Sequence, residues 1–243
     1  MLGIRLRPDS LAPGHDAYIV PRQGQQLEII FDKSRPQTRQ NFSICHEICH
    51  TIFPDAYEVV RNRYDHRERF DPDRELEQLC DLGAAEILLP EDEFRADVTG
   101  LNFGLGTVLL LRDRYQASRE AVIRRMVQLH EGSSVAVFLE YRLKPTEQAA
   151  FRQMPLITSI PELRPKLRIA YAVTSARFPV FLPRDKSVPD DSCVYRAALE
   201  QDIACGFEDW KIRGLPPCRV EAMPLPTGDS AGSPVRIVAL LQP

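Results

Sequence analysis

No apolar run in this 243-residue chain approaches the roughly 20 residues of a membrane-spanning helix. Met1 to Ser10 lacks the apolar centre of a secretory signal. Both absences lead to the expectation of a cytoplasmic protein. The six cysteines, Cys45, Cys49, Cys80, Cys193, Cys205 and Cys218, include no C-x-x-C pair. Without a secretory signal, reduced thiols rather than disulfides are expected. Charge is nearly balanced: 31 Lys and Arg against 34 Asp and Glu leave a net charge of −3, with no global pull towards nucleic acid. There is no internal repeat and no low-complexity tract. What is present is an ordinary hydrophobic fraction of 44%, enough to bury a real core in one large domain or two small ones.

The alternation of residues 17–20 and 27–31 predicts two strands joined by a turn around Gly24. A helix is predicted from Gln37 to Phe53, stopped by Pro54. Residues 58–73 are dense in both charge signs and read as a solvated helix and loop. Helices are predicted over 74–89, ended by Pro90, then over 91–98, around 107–115, and over 119–130. After Gly132 the composition changes. Residues 135–139, 167–173 and 235–240 read as strands, and 194–204 as a helix between them. The expected fold is α+β: a mainly helical peptidase-sized domain with a small sheet (1–104), a helix-turn-helix-like segment (105–132), and a mixed α/β C-terminal domain (133–243).

His46-Glu47-Ile48-Cys49-His50 is an H-E-x-x-H string inside the helix from Gln37. Residues four apart lie about 40° apart around a helix, so both imidazoles can face one zinc ion. Glu47 lies beside them, placed to take a proton from a water. A catalytic zinc takes three protein ligands and keeps one position open. Glu77 and Asp81 share a face of the next strong helix. There Glu77 serves as the third ligand, and Asp81 accepts a hydrogen bond from the free ring nitrogen of a ligand histidine. Ala84, Ala85 and Leu88 continue that face, and the alanines allow close packing on the first helix. H-E-x-x-H followed by E-x-x-x-D is the ligand scheme of the gluzincin class of metallopeptidases. Tyr57, Tyr64 and His66, in the charged segment, are further candidates for transition-state donors. Glu75 and Glu86 read as solvated helix carboxylates, His15 and His130 as surface or capping residues, and Cys45 and Cys49 as small packing residues.

The stretch Arg39-Gln40-Asn41-Phe42-Ser43-Ile44-Cys45 before His46, together with Glu77 to Pro90, resembles the ImmA/IrrE-type metallopeptidase family over roughly residues 15–130. That family typically has Arg, Phe, Thr or Ser, a hydrophobic and a small residue before its first motif. Its second motif runs to Leu-Leu-Met-Pro. Gly83 stands here where the family usually has Phe, and Leu89 where it has Met. The resemblance implies a minimal zincin core, zinc on His46, His50 and Glu77, and Glu47 as general base. It also implies a regulatory protease whose substrate is a helix-turn-helix repressor of the XRE type, cleaved to derepress stress-response or mobile-element genes.

Residues 108–126 have helix-turn-helix character, with Ser118 as cap and Arg119, Arg124 and Arg125 making the second helix basic. Packing of Leu110, Val122, Met126 and Leu129 onto the peptidase core is favoured over DNA reading. Some longer relatives carry a GAF-like sensor after this segment, and the α/β pattern of 133–243 permits one, with a small molecule or protein as its signal. The sequence thus reads as a zinc endopeptidase. The alternative is a non-proteolytic DNA- or protein-binding transcriptional regulator that retains the metal site.

Overall fold

The computed structural model describes residues 3–22, 26–53, 72–147, 164–225 and 236–243. They form two compact units: residues 1–100 with 110–122, and residues 101–109 with 123–243.

The first unit opens with a three-stranded sheet of β1 (Arg5–Asp9), β2 (Ala17–Pro21) and β3 (Leu27–Asp32), in the order β1-β3-β2. The β2–β3 pair is the expected antiparallel ladder, from Ala17 opposite Phe31 to Pro21 opposite Leu27. The parallel strand β1 was not legible in the sequence, because Arg5, Arg7 and Pro8 give it little strand propensity. It is held by pairing with β3 and by Arg5 and Arg7, which flank the buried carboxylate of Glu28.

Helix α1 (Gln37–His50) follows. It has no side-chain cap of its own. Its start is instead fixed by Asp16, which accepts from Arg39 Nε at 2.8 Å and pairs with Arg35 Nε at 2.8 Å. α1 ends three residues before the predicted Phe53. The amides of Thr51, Ile52 and Phe53 each bond the carbonyl three residues back, so the last turn tightens into 3₁₀ geometry. The expected stop at Pro54 and the charged segment over 58–71 lie outside the described residues.

Helix α2 (Pro72–Leu88) packs against α1 through Cys80 and Ala84, both fully buried. Close approach requires Gly83: a Cβ there would lie 2.6 Å from Cys49 Sγ. The small side chains at 49, 80, 83 and 84 thus set the α1–α2 spacing. Helix α3 (Glu91–Val98) runs over its predicted span. Glu86, read as a solvated carboxylate, accepts from the Glu91 amide at 2.9 Å and so caps α3. Helices α4 (Leu105–Tyr115) and α5 (Arg119–Leu129) flank a turn in which Gln116 takes the left-handed conformation. Ser118 caps α5 by accepting from Ala121 N at 3.1 Å, as the sequence indicated. No helix among the described residues is long and apolar enough to cross a membrane.

The second unit is built on an antiparallel sheet of β4 (Val135–Arg142), β5 (Lys166–Thr174), β6 (Ala204–Glu208), β7 (Cys218–Leu225) and β8 (Arg236–Gln242), in the order β5-β4-β8-β7-β6. One face, with Val137, Leu139, Val220 and Ala239, packs on helix α6 (Cys193–Glu200) and on Phe178, Trp210 and Leu215 from the connecting loops. The other face is buried too, through Ala136, Phe138, Met223, Val238 and Leu240. On that side Glu221 of β7 accepts from the Leu105 amide at 2.8 Å, so a strand carboxylate caps the start of α4. Gly104 is required there: a Cβ would lie 2.9 Å from the Glu221 carboxylate. The Arg124 guanidinium lies over Tyr171, 4.9 Å from its ring centroid, and over Phe138. His130, expected as a surface or capping residue, instead stacks on Phe103 and bonds Ser134 at 2.8 Å. Helix α6 is shorter than the predicted 194–204. Gln201 turns left-handed at its end, and the chain passes directly into β6.

Glu208 ties β6 to α6. It accepts from Ser192 Oγ (2.6 Å), Cys193 N (2.6 Å) and Trp210 Nε1 (2.8 Å). Burial pushes its pKa up, but these hydrogen bonds outweigh burial and leave it below the ordinary carboxylate value. A lowered folded-state pKa adds stability above the unfolded value, and that stability is lost as pH falls through the folded one. Glu208→Gln is therefore expected to destabilise this unit by about 1–3 kcal/mol at pH 7. The urea curves of variant and parent should converge as pH drops below the usual carboxylate range. A difference that persists unchanged into strong acid would refute the assignment.

Candidate metal centre

Helix α1 buries His46 and Glu47, while His50 is half-buried one turn on. The imidazoles lie edge to face with ring centroids 4.9 Å apart, and their Nε2 atoms are 3.1 Å apart. From α2, the two oxygens of Glu77 meet these nitrogens: Oε2 is 3.1 Å from His46 Nε2 and Oε1 is 3.5 Å from His50 Nε2. Three donors around a tetrahedral zinc at about 2.0–2.1 Å would be separated by about 3.3 Å. The two imidazole nitrogens at 3.1 Å, and Glu77 Oε2 at 3.1 Å from His46 Nε2, are close to that separation, and the other Glu77 oxygen lies 3.5 Å from His50 Nε2.

Asp81, one turn after Glu77, lies 2.9 Å from His46 Nδ1. An ionised carboxylate only accepts, so Nδ1 carries the proton and donates it. That leaves Nε2 of neutral His46 as a bare lone pair facing Glu77, an arrangement that suits a cation between them. Burial pulls the His46 pKa down, but the Glu77 hydrogen bond and the charges of Glu47, Glu77 and Asp81 overcome it and raise the value above normal. A metal at Nε2 would therefore compete with a proton, and its uptake would weaken in acid.

Two carboxylates stand near the imidazoles. A Glu47 oxygen lies within 4.8 Å of the histidine donors, in a group of His46, Glu47 and His50 that could hold a metal. The Glu77 oxygens lie 3.1 Å from His46 Nε2 and 3.5 Å from His50 Nε2. Cys45, Cys49 and Cys80 are free thiols. Burial raises all three, Cys45 to about 11 and Cys80 to about 12; the sequence reads Cys45 and Cys49 as packing residues, and Cys80 joins them.

The structure thus brings together His46, Glu47, His50, Glu77 and Asp81. Tyr57, Tyr64 and His66 lie outside the described residues. Sequence reasoning missed Asp16, which anchors α1, and the Cys49–Gly83 contact, which sets the helix spacing. Pairing Asp16 with Arg39, a residue already flagged by the resemblance, was the available signal for the first. Nothing in the sequence linked residues 49 and 83.

Asp81→Ala is expected to weaken zinc binding about 10–100-fold, because the tautomer and orientation of His46 are no longer fixed. Competition with a chromogenic chelator measures this, and unchanged affinity would remove Asp81 from the site.

A model of the IrrE N-terminal-like domain (Peptidase M78) matches residues 2–127. Among solved structures, a Mycobacterium tuberculosis transcriptional regulator is similar, with a TM-score of 0.57 at 12% identity. The match covers 99% of this chain and 66% of that one, and at this identity it speaks for the fold alone. No curated protein matches.

Proposed function

The chain belongs to the IrrE N-terminal-like (Peptidase M78) family, and on that footing we propose that it is a zinc-dependent endopeptidase acting as a regulatory protease. The substrate we propose is an XRE-type helix-turn-helix repressor, whose cleavage derepresses stress-response or mobile-element genes. One observation carries the enzymatic part: His46 Nε2, His50 Nε2 and the Glu77 carboxylate converge at 3.1–3.5 Å, with a Glu47 oxygen within 4.8 Å of the histidine donors.

His46, His50 and Glu77 would hold the metal. Zinc held there would supply Lewis acidity, lowering the pKa of a water and polarising the scissile carbonyl. Glu47 takes the water's proton and returns it to the departing amide nitrogen. Asp81 holds His46 in the tautomer that presents Nε2. Tyr57, Tyr64 and His66 are the proposed donors to the developing oxyanion.

The proposal includes the division into a peptidase domain (1–104), a helix-turn-helix-like segment (105–132) and a C-terminal sensor (133–243), acting in the cytoplasm. The strand order of the C-terminal sheet, 2-1-5-4-3 when its strands are numbered from β4, supports a GAF-like sensor whose ligand or protein partner gates proteolysis. The Arg124 side chain lies over Tyr171 and Phe138, which supports a packing role for α5 over DNA reading.

The test is metal analysis of the purified protein, followed by incubation with XRE-type repressors encoded beside its gene. Cleavage at one site, abolished by a zinc chelator and restored by zinc, is expected. Stoichiometric zinc with no cleavage of any such repressor, with or without added cell extract to supply a signal, would favour the non-proteolytic regulator.

A further inference from the structure

The five-stranded sheet has two edges, and its own chain closes one of them. Along β5, residues 185–188 run as an added strand. Ile169 N donates to Lys186 O (3.0 Å), Asp185 N to Ile169 O (2.9 Å) and Val188 N to Leu167 O (3.2 Å). At the opposite edge, β6 pairs with β7 on its inner side. On its outer side, among the described residues, the Cys205 carbonyl accepts from Arg196 Nη2 at 2.6 Å. That contact places the backbone groups of Cys205, and by the two-residue period those of Phe207, on the side away from β7.

The side chains follow the same parity. A Cβ on Gly206 would lie 3.5 Å from the Cys193 Cβ of α6, so position 206 faces that helix. Cys205 and Phe207 face the other way, both exposed, with Phe207 at 77%.

Edge strands are normally guarded by cations or proline. β1 carries Arg5, Arg7 and Pro8, and β2 ends in Pro21-Arg22. β6 reads Ala204-Cys205-Gly206-Phe207-Glu208, with neither. Its one charge is turned inward, since Glu208 is held by Ser192, Cys193 and Trp210. An edge whose own residues carry no such guard, with Arg196 on one carbonyl and an exposed aromatic ring, is a template for another strand.

We propose that β6 pairs antiparallel with β6 of a second copy of this chain, about a two-fold axis through Gly206. The strand is complementary to itself in this register. Cys205 lies opposite Phe207 of the second copy and Phe207 opposite Cys205, a small side chain beside a large one on each side of the axis. The outward backbone groups of these residues exchange hydrogen bonds. Glycine occupies the axis, where facing strands in a non-hydrogen-bonded pair come closest. Arg196 competes for the Cys205 carbonyl and so weakens the pairing. Two short strands bury less than the roughly 1,200 Å² of a stable interface, so the dimer is weak, with a dissociation constant on the order of 100 µM. The proposal is independent of the protease reading.

Sedimentation velocity on the full chain, from about 5 to 500 µM, tests it across the expected dissociation constant. A reversible monomer–dimer shift is expected. Phe207→Pro removes an outward amide while sparing the β6–β7 ladder, and should leave a monomer throughout. Arg196→Ala should tighten the dimer several-fold. If Phe207→Pro melts early by circular dichroism, Phe207→Asp keeps every backbone group and should also be monomeric. A parent protein that stays monomeric at the highest concentration overturns the proposal, even if it captures extended peptides. So does a dimer indifferent to Phe207→Asp and Arg196→Ala.

Discussion

Glu47→Gln should retain stoichiometric zinc and lose at least about 10³-fold in cleavage rate. General-base catalysis by a positioned carboxylate contributes about 10²–10⁴-fold, and 10³-fold corresponds to about 4 kcal/mol of barrier. The substitution is nearly isosteric, and the proposed ligands are His46, His50 and Glu77, whose donor atoms lie 3.1–3.5 Å apart. Metal affinity and melting temperature should therefore change little while chemistry stops. Single-turnover cleavage alongside metal analysis separates the two. Cleavage retained within tenfold of the parent would end the general-base assignment, and loss of zinc would move Glu47 into the ligand set.

Glu77→Ala should have the reverse signature. It removes one of the three proposed ligands, and zinc affinity is expected to fall on the order of 10³-fold, given that a full structural zinc site is worth about 10–16 kcal/mol. The melting-temperature rise that excess zinc gives the parent should vanish, since only ligands that bind the folded state stabilise it. The metal-free comparison has its own pH sign. Glu77 helps raise the folded-state pKa of His46. Stability from that pair is fully present below the unfolded histidine value and is lost as pH rises through the folded one. Metal-free parent should therefore exceed metal-free Glu77→Ala in acid and approach it at pH 8. Zinc-induced stabilisation of the parent should grow over the same interval. Thermal melts at pH 5.5 and 8, with and without zinc, distinguish these outcomes. Zinc stabilisation that survives the substitution would exclude Glu77 as a ligand.

The α1 half of this centre was legible because its geometry is local. His46 and His50 meet for the same reason that any residues four apart on a helix do. The Glu77–Asp81 spacing was legible for the same reason, and the resemblance joined the two halves. The C-terminal unit was read less completely. Strands β4, β5 and β8 announced themselves as apolar runs, but β6 and β7 did not. Gly206 breaks β6, and β7 carries Glu221 and Pro224. Glu221 is explained by its partners, the Leu105 amide 116 residues earlier in the chain and the Arg219 guanidinium at 2.6 Å.

By itself the sequence determined which groups can do chemistry here and which of them share a helical turn, because side-chain type and the 3.6-residue period are properties of the chain alone. Only the tertiary structure decided how far apart the two helices stand. Cys49 packs against Gly83, and that contact brings Glu77 to 3.1 Å from His46 rather than leaving it a solvated carboxylate. Distances between elements come from packing of residues remote in sequence, and no local pattern encodes them.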